Sequence, residues 1–328
     1  ADKAIDPSTT TTGENAIKAF DVWGFIDEVD GVVFDGEDVT GEKGNFTYAN
    51  TQYWVPGHDY YFAAIAPMNS KNWELDTTKA NKQGAGEISF TNIDGTEDLL
   101  YSAVGPIAAP AEGATSAEKV TFAFNHMLSK VKFTFTNGFT NGNAYIDVKN
   151  VKMVVPSKGS INLAQADWWS TNQWVLVEGQ TSTLSFGDAC AKTAPGVKQE
   201  TDNERLTIPA GAQQTYKITF DVALYFGDVK AFEKVGYETL VEGVALEMGK
   251  SYNFKAELNA SNITGSGDDA IELLPIVFDV EEVNEWVDAG EQTGIIGGAV
   301  KDMTLFADVE ATERVIVSGT LDGAGHTV

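Results

Sequence analysis

The chain has 328 residues, 43% of them hydrophobic and 21% charged, with 48 acidic against 22 basic side chains and a net charge of −26. That length allows two or three domains with real cores, and that charge repels phosphate backbones, which excludes direct binding of nucleic acid. Cys190 is the only cysteine, so neither an internal disulfide nor a thiolate metal cluster can form, and no stretch reaches the roughly 20 apolar residues of a membrane span.

The opening residues, ADKAIDPSTTTTGEN, hold no signal-peptide core, so an export signal is expected to have been removed ahead of residue 1. Asp35-Gly-Glu-Asp-Val-Thr-Gly-Glu42 is acidic but lacks the alternating ligand pattern of an EF-hand, and reads as a solvated turn. Gly105 to Glu118 is a small-residue, Pro-containing break, and a domain boundary is placed there.

The next segment, Phe122-Ala-Phe-Asn-His-Met-Leu-Ser-Lys-Val-Lys-Phe-Thr-Phe135, carries one of only three histidines. His58, His126 and His326 are far apart and none has a second ligand at i+3 or i+4, so no zinc site is predicted and His126 reads as scaffold. Val131 to Phe135 alternates with period two, as a half-buried strand does. In Ile146-Asp-Val-Lys-Asn-Val-Lys-Met-Val-Val155 the phase slips after Val148, which predicts a β-bulge or bend near Asn150.

Asp167-Trp-Trp-Ser-Thr-Asn-Gln-Trp174 packs three of the seven tryptophans into seven positions. Exposed, Trp168, Trp169 and Trp174 would form a stacking platform for a sugar; buried, they are strand-end core, the reading that tryptophan burial favours. Tyr216 to Phe226 shows the cleanest alternation in the chain, with Tyr, Ile, Phe, Val, Leu and Phe at even positions. Gly243 to Ser251 resembles a phosphate loop, but five residues separate its glycines and the strand Tyr252 to Leu258 follows where a helix should stand, so it is read as a turn. No G-x-S-x-G elbow is present, and no carboxylate pair stands out for glycosidase chemistry. No catalytic residue, cofactor or metal is predicted. The glycine-rich Asp288 to Gly298 reads as a linker.

The expected fold is all-β and predominantly antiparallel, divided as 1–118, 119–290 and a short region 291–328. Phe20-Asp-Val-Trp-Gly24, Tyr53-Trp-Val-Pro56, Tyr60-Tyr-Phe-Ala-Ala-Ile-Ala-Pro67, Asp98-Leu-Leu-Tyr101, His126-Met-Leu-Ser-Lys-Val131, Ile208-Pro209, Met248-Gly-Lys-Ser-Tyr-Asn-Phe254 and the late Trp286 follow one another in this order. The succession resembles the Bacteroidales fimbrillin family, the Mfa-like branch of type V pilus subunits and related surface lipoproteins.

That resemblance implies two tandem transthyretin-like β-sandwiches, no enzymatic activity, and a place at the outer face of the outer membrane or in a fimbrium, with attachment by a lipid outside this chain. It implies other fimbrial subunits as partners through donor-strand exchange, and a host or bacterial surface glycan or protein as the object of adhesion. Under it, proteolysis removes a strand near the N-terminus and a neighbour's strand fills the groove. No arginine precedes Arg205, and Lys3 is the basic residue in the matching place for that processing. The tail is different: Ser318-Gly-Thr-Leu-Asp-Gly-Ala-Gly-His-Thr-Val328 resembles the first coil of a pectate-lyase-like parallel β-helix. Two rival functions accompany the fimbrial one: a non-polymerising surface glycan-binding lipoprotein, and the non-catalytic part of a β-helix polysaccharide-active enzyme.

Overall fold

The computed structural model describes residues 7–9, 17–27, 31–42, 45–114, 119–165, 174–264, 272–273, 275–283, 295–300, 303–304, 310–317 and 321–322. The chain forms two compact units, one built on Ile17–Trp286 with Ala1–Thr11, the other on Val287–Val328 with Thr12–Ala16. The fold is all-β. Among the described residues the single helical turn is a three-residue 3-10 helix, Thr77–Lys79.

In the larger unit, a six-stranded antiparallel sheet runs in the order Asn125–His126, Leu100–Ala108, Asp59–Ala66, Ala19–Ile26, Val32–Glu42 and Asn45–Thr47. Its central strands are apolar on both faces because both faces are covered. Phe20, Val22, Phe62 and Ala64 enter one core, while Trp23, Ala63 and Ile65 enter another. The acidic segment Asp35 to Glu42 corrects an expectation: it is strand, not turn, paired with Ala19–Ile26. Phe34 and Val39 are buried, and a bulge at Gly36, with φ +73°, breaks the alternation that would have revealed the strand.

Two further sheets form a sandwich. One has the order Lys198–Glu200, Ser129–Asn137, Ser251–Leu258 and Asp279–Val283; the other has Thr181–Gly187, Ala144–Pro156, Gln214–Phe226 and Val229–Val244. Their inner faces meet in one aromatic-rich core that includes Phe133, Phe135, Phe186, Phe220 and Phe254. The alternation read from Tyr216 onward holds: Tyr216, Ile218, Phe220, Val222 and Leu224 are buried, and only Phe226, at the hairpin end, is exposed.

The bulge expected near Asn150 is present. The register of Ala144–Pro156 against Gln214–Phe226 shifts between Lys149 and Lys152, and Asn150 takes φ +54°. Ile146, Val148, Val151, Met153 and Val155 thereby share one inner face. Asp188 accepts from the Asn150 backbone N–H at 2.9 Å and Asp221 from its side-chain amide at 2.7 Å. Within this sandwich one pairing departs from the antiparallel pattern. Ser129–Asn137 and Ser251–Leu258 are parallel neighbours over eight residue pairs, from Lys130–Ser251 to Asn137–Leu258. The intervening chain builds the opposite sheet, which supplies the long crossover a parallel pair needs.

A four-stranded sheet ordered Val175–Leu176, Lys158–Asn162, Glu87–Thr91 and Trp73–Asp76 joins strands from early and late in the larger unit. It closes over a core of Trp23, Ile65, Phe90, Tyr101, Leu128, Ile161 and Trp174. Gly243 to Ser251 is a turn, with Gly243 and Gly249 at positive φ, leading into Ser251–Leu258. In the smaller unit, Ile295–Val300 pairs in parallel with Glu310–Val317, and Met303–Thr304 in parallel with Leu321–Asp322. The first of these strands takes in the end of the expected linker.

Candidate functional site

One face of the six-stranded sheet carries an aromatic-rich core. Phe20, Val22, Phe34, Val39, Phe46 and Phe62 project into it. Among the described residues, a two-stranded parallel ribbon, Pro7–Thr9 beside Val120–Phe122, meets this core, which also takes in Ile17 and Trp54. Val120 and Phe122 are buried, and Phe20 meets Phe46, Phe124 and Phe122 at ring-centroid distances of 5.1, 5.3 and 5.5 Å. Among the described residues neither strand of the ribbon has another hydrogen-bonded strand beside it. A small apolar void of about 10 Å³, room for about one water molecule, is lined by Val22, Phe34, Val39, Phe62, Val120 and Phe122. The arrangement is a buried sheet face with a ribbon at its side in which a short N-terminal segment is the outer strand.

The Val120–Phe122 strand was missed by the sequence analysis, although Val120-Thr-Phe-Ala-Phe124 alternates with period two. Pairing with Pro7–Thr9 was not legible, because Pro7-Ser-Thr9 carries no apolar alternation.

His126 has a structural environment. Its backbone pairs with Leu100, and its Nδ1 lies 2.6 Å from Asp98 Oδ2. The adjacent Met127 N–H donates to the Leu99 carbonyl at 2.9 Å, and the Trp174 indole N–H donates to the Met127 carbonyl at 2.9 Å. Trp174 is 5% exposed with its ring edge toward Phe90, so it presents no open face to a sugar. Trp168, Trp169 and Lys3 lie outside the described residues.

Among the described residues a buried carboxyl, Asp21, stands beside an exposed one, Asp38. Asp21 and Asp38 stand directly opposite across Ala19–Ile26 and Val32–Glu42, and Asp21 is 3% exposed. Burial pushes the Asp21 carboxyl up to about 6, and the neighbouring Asp38 adds to the rise, against a backbone N–H of Asn69 that donates to it at 3.0 Å. Burial likewise raises the Cys190 thiol to about 11, so it is inert at neutral pH. Among the described residues no three His, Cys, Asp or Glu side chains are grouped to hold a metal ion, and no helix is long and apolar enough to cross a membrane.

A family model described as fimbrillin-like matches residues 4–271. No curated protein matches the chain. Among solved structures, a fimbrial protein from Bacteroides vulgatus is similar at 14% identity and a TM-score of 0.52, over 85% of this chain and 99% of that one. A candidate cell adhesion protein from Bacteroides uniformis aligns at 16% identity and TM-score 0.48, over 86% and 98% of the two chains. The fimbrial anchor protein Mfa2 from Porphyromonas gingivalis aligns at 10% identity and TM-score 0.38, over 87% and 100%. The first likeness is one of fold.

Proposed function

Because the chain belongs to the fimbrillin-like family, we propose that it is a structural subunit or adhesin of a bacterial surface fimbria, without enzymatic activity, that joins its neighbours by β-strand complementation. One observation carries the assembly step: among the described residues Pro7–Thr9 and Val120–Phe122 form a two-stranded ribbon with no further hydrogen-bonded strand beside it. A strand of three residues contributes few backbone hydrogen bonds. A longer alternating strand from a neighbouring subunit would supply the N–H that Pro7 lacks and continue the pairing beyond Val120–Phe122.

Processing at Lys3 would trim the terminus but leave Pro7–Thr9 attached, so the incoming strand would have to displace it. Cleavage between Thr9 and Ala19 would clear the place beside Val120–Phe122 outright. The two-sandwich division near residue 118 is retained in this reading, with three strand pairs crossing it: Pro7–Thr9 with Val120–Phe122, Leu100–Ala108 with Asn125–His126, and Glu87–Thr91 with Lys158–Asn162. The parallel pairs of the smaller unit support reading it as the opening of a β-helix, since successive coils of such a fold pair in parallel. Export to the outer-membrane surface and anchoring by lipid complete the proposal.

The test is electrophoresis of native cell-surface material with and without boiling, probed for this chain. A regularly spaced, heat-sensitive ladder is expected from a strand-swapped polymer. A single monomer band under both conditions sinks the polymer-forming role. In vitro, removal of residues 1–16 should convert purified monomer to oligomers, and unchanged monomer would refute displacement of Pro7–Thr9 as the limiting step.

A further inference from the structure

On the other face of the six-stranded sheet, a cavity of about 440 Å³ opens between the hairpin of Ala19–Ile26 with Val32–Glu42 and the segment Thr77 to Lys82. That volume falls within the roughly 300–1,000 Å³ of small-molecule sites. Its apolar lining includes the buried Trp23 and the half-buried Phe25, two positions apart on one face of one strand. Its polar lining includes Asp27 and Asp35 from the hairpin, and Thr77 and Lys82 from the facing segment.

The frame around the cavity is tied down. A register shift between Val22 and Trp23 sets Asp35 directly opposite Trp23, on the same face of the sheet. Asp27 Oδ1 lies 2.9 Å from His58 Nδ1, and the Asp27 N–H donates to the Asp59 carbonyl at 3.0 Å. Asp76 caps the 3-10 turn by accepting from the Thr78 N–H at 3.1 Å. The Asn81 side chain donates to the Ala164 carbonyl at 3.2 Å and accepts from the Gln83 N–H at 2.8 Å. The Lys82 ammonium stands 5.7 Å from the centre of the Tyr61 ring, and Tyr61 is the cross-strand partner of Phe25.

Within this frame three groups are unspent. Among the described residues, the Asp35 carboxylate and the Thr77 hydroxyl make no hydrogen bond, and Lys82 makes no ion pair. We infer that this cavity is a binding site for a neutral saccharide unit, with the half-buried Phe25 against the apolar C–H surface of the ring and Asp35, Thr77 and Lys82 bonding its hydroxyls. A sugar hydroxyl both donates and accepts, so it satisfies a carboxylate on one wall and an ammonium on the other. Two carboxylates against one ammonium, in a chain of net charge −26, disfavour uronates and other anionic sugars. This site supplies a ligand class for adhesion and does not depend on strand exchange.

Single saccharide contacts are weak, so the test uses surfaces densely coated with hexose- and N-acetylhexosamine-terminated oligosaccharides. Bare linker and a Lys/Arg-rich peptide serve as comparison surfaces. The full chain should be retained on at least one saccharide surface and not on bare linker. Asp35→Ala should weaken retention about tenfold or more, the effect of losing a hydrogen bond to a charged group. Lys82→Ala should weaken it in the same direction. Both side chains are exposed, and an unchanged urea midpoint shows that a variant is folded. No retention on any saccharide, equal retention by both variants, or stronger retention on the peptide overturns the inference. A heat-sensitive ladder that persists in Asp35→Ala separates failure here from failure of the assembly reading.

Discussion

Asp21 is the residue whose replacement should raise stability. Its carboxyl is 3% exposed, faces Asp38 across the strand pair, and is held at about 6 by burial and by that neighbour, against an ordinary value of 3.8. Because the folded-state value lies above the unfolded one, the folded protein binds this proton more tightly. The favourable contribution is fully present below about pH 4 and is lost as pH rises through about 6. A rise of about two units corresponds to about 3 kcal/mol between those limits. Asp21→Asn keeps an oxygen to accept from the Asn69 N–H and offers Asp38 an amide donor, without ever becoming charged. Urea unfolding followed by tryptophan emission from pH 4 to 8 should show the variant more stable by roughly 2–3 kcal/mol at pH 7.5, with the gap closing toward pH 4. A variant less stable than the parent at pH 7.5, or a difference that does not change with pH, would refute the reasoning.

Three further outcomes follow from packing. Trp174→Phe removes the donor to the buried Met127 carbonyl and should cost about 1–2 kcal/mol in urea unfolding while leaving saccharide retention unchanged. At the bulge, Asn150→Ala keeps φ +54° without a side chain suited to it and should lose about 1–2 kcal/mol; Asn150→Gly should lose less, because only the amide contact to Asp221 is gone. Equal losses would place the cost in that contact and not in the backbone. Phe122→Ala opens the layer over Phe20 and should cost about 3–5 kcal/mol, read as a lowered urea midpoint.

Much of the fold was legible because alternation survives where one face is buried. Tyr216 to Leu224 could be assigned to its faces residue by residue, and the phase slip after Val148 located the bulge at Asn150. Pairing partners were not legible. Nothing local in Ser129–Asn137 or Ser251–Leu258 distinguishes a parallel neighbour from an antiparallel one, since that choice is made by the crossover between them. The absence of companion ligands around His126 could be read from its spacing, while its Asp98 partner, 28 residues away, required the fold.

The segment Asp35 to Glu42 shows why the candidate sites were harder to read than the cores. Its acids concealed the strand, because charge density and the Gly36 bulge outweighed the two inward residues Phe34 and Val39. The same acids are what the strand presents to its surroundings. Asp38 meets the buried Asp21, and Asp35 meets the cavity beside Trp23. A polar residue in a strand carries two meanings that composition cannot separate: solvated surface, or a group aimed at a neighbour. Only the register decides. One residue of slip between Val22 and Trp23 sets Asp35 opposite Trp23, and without that slip the carboxylate would not stand over the aromatic floor.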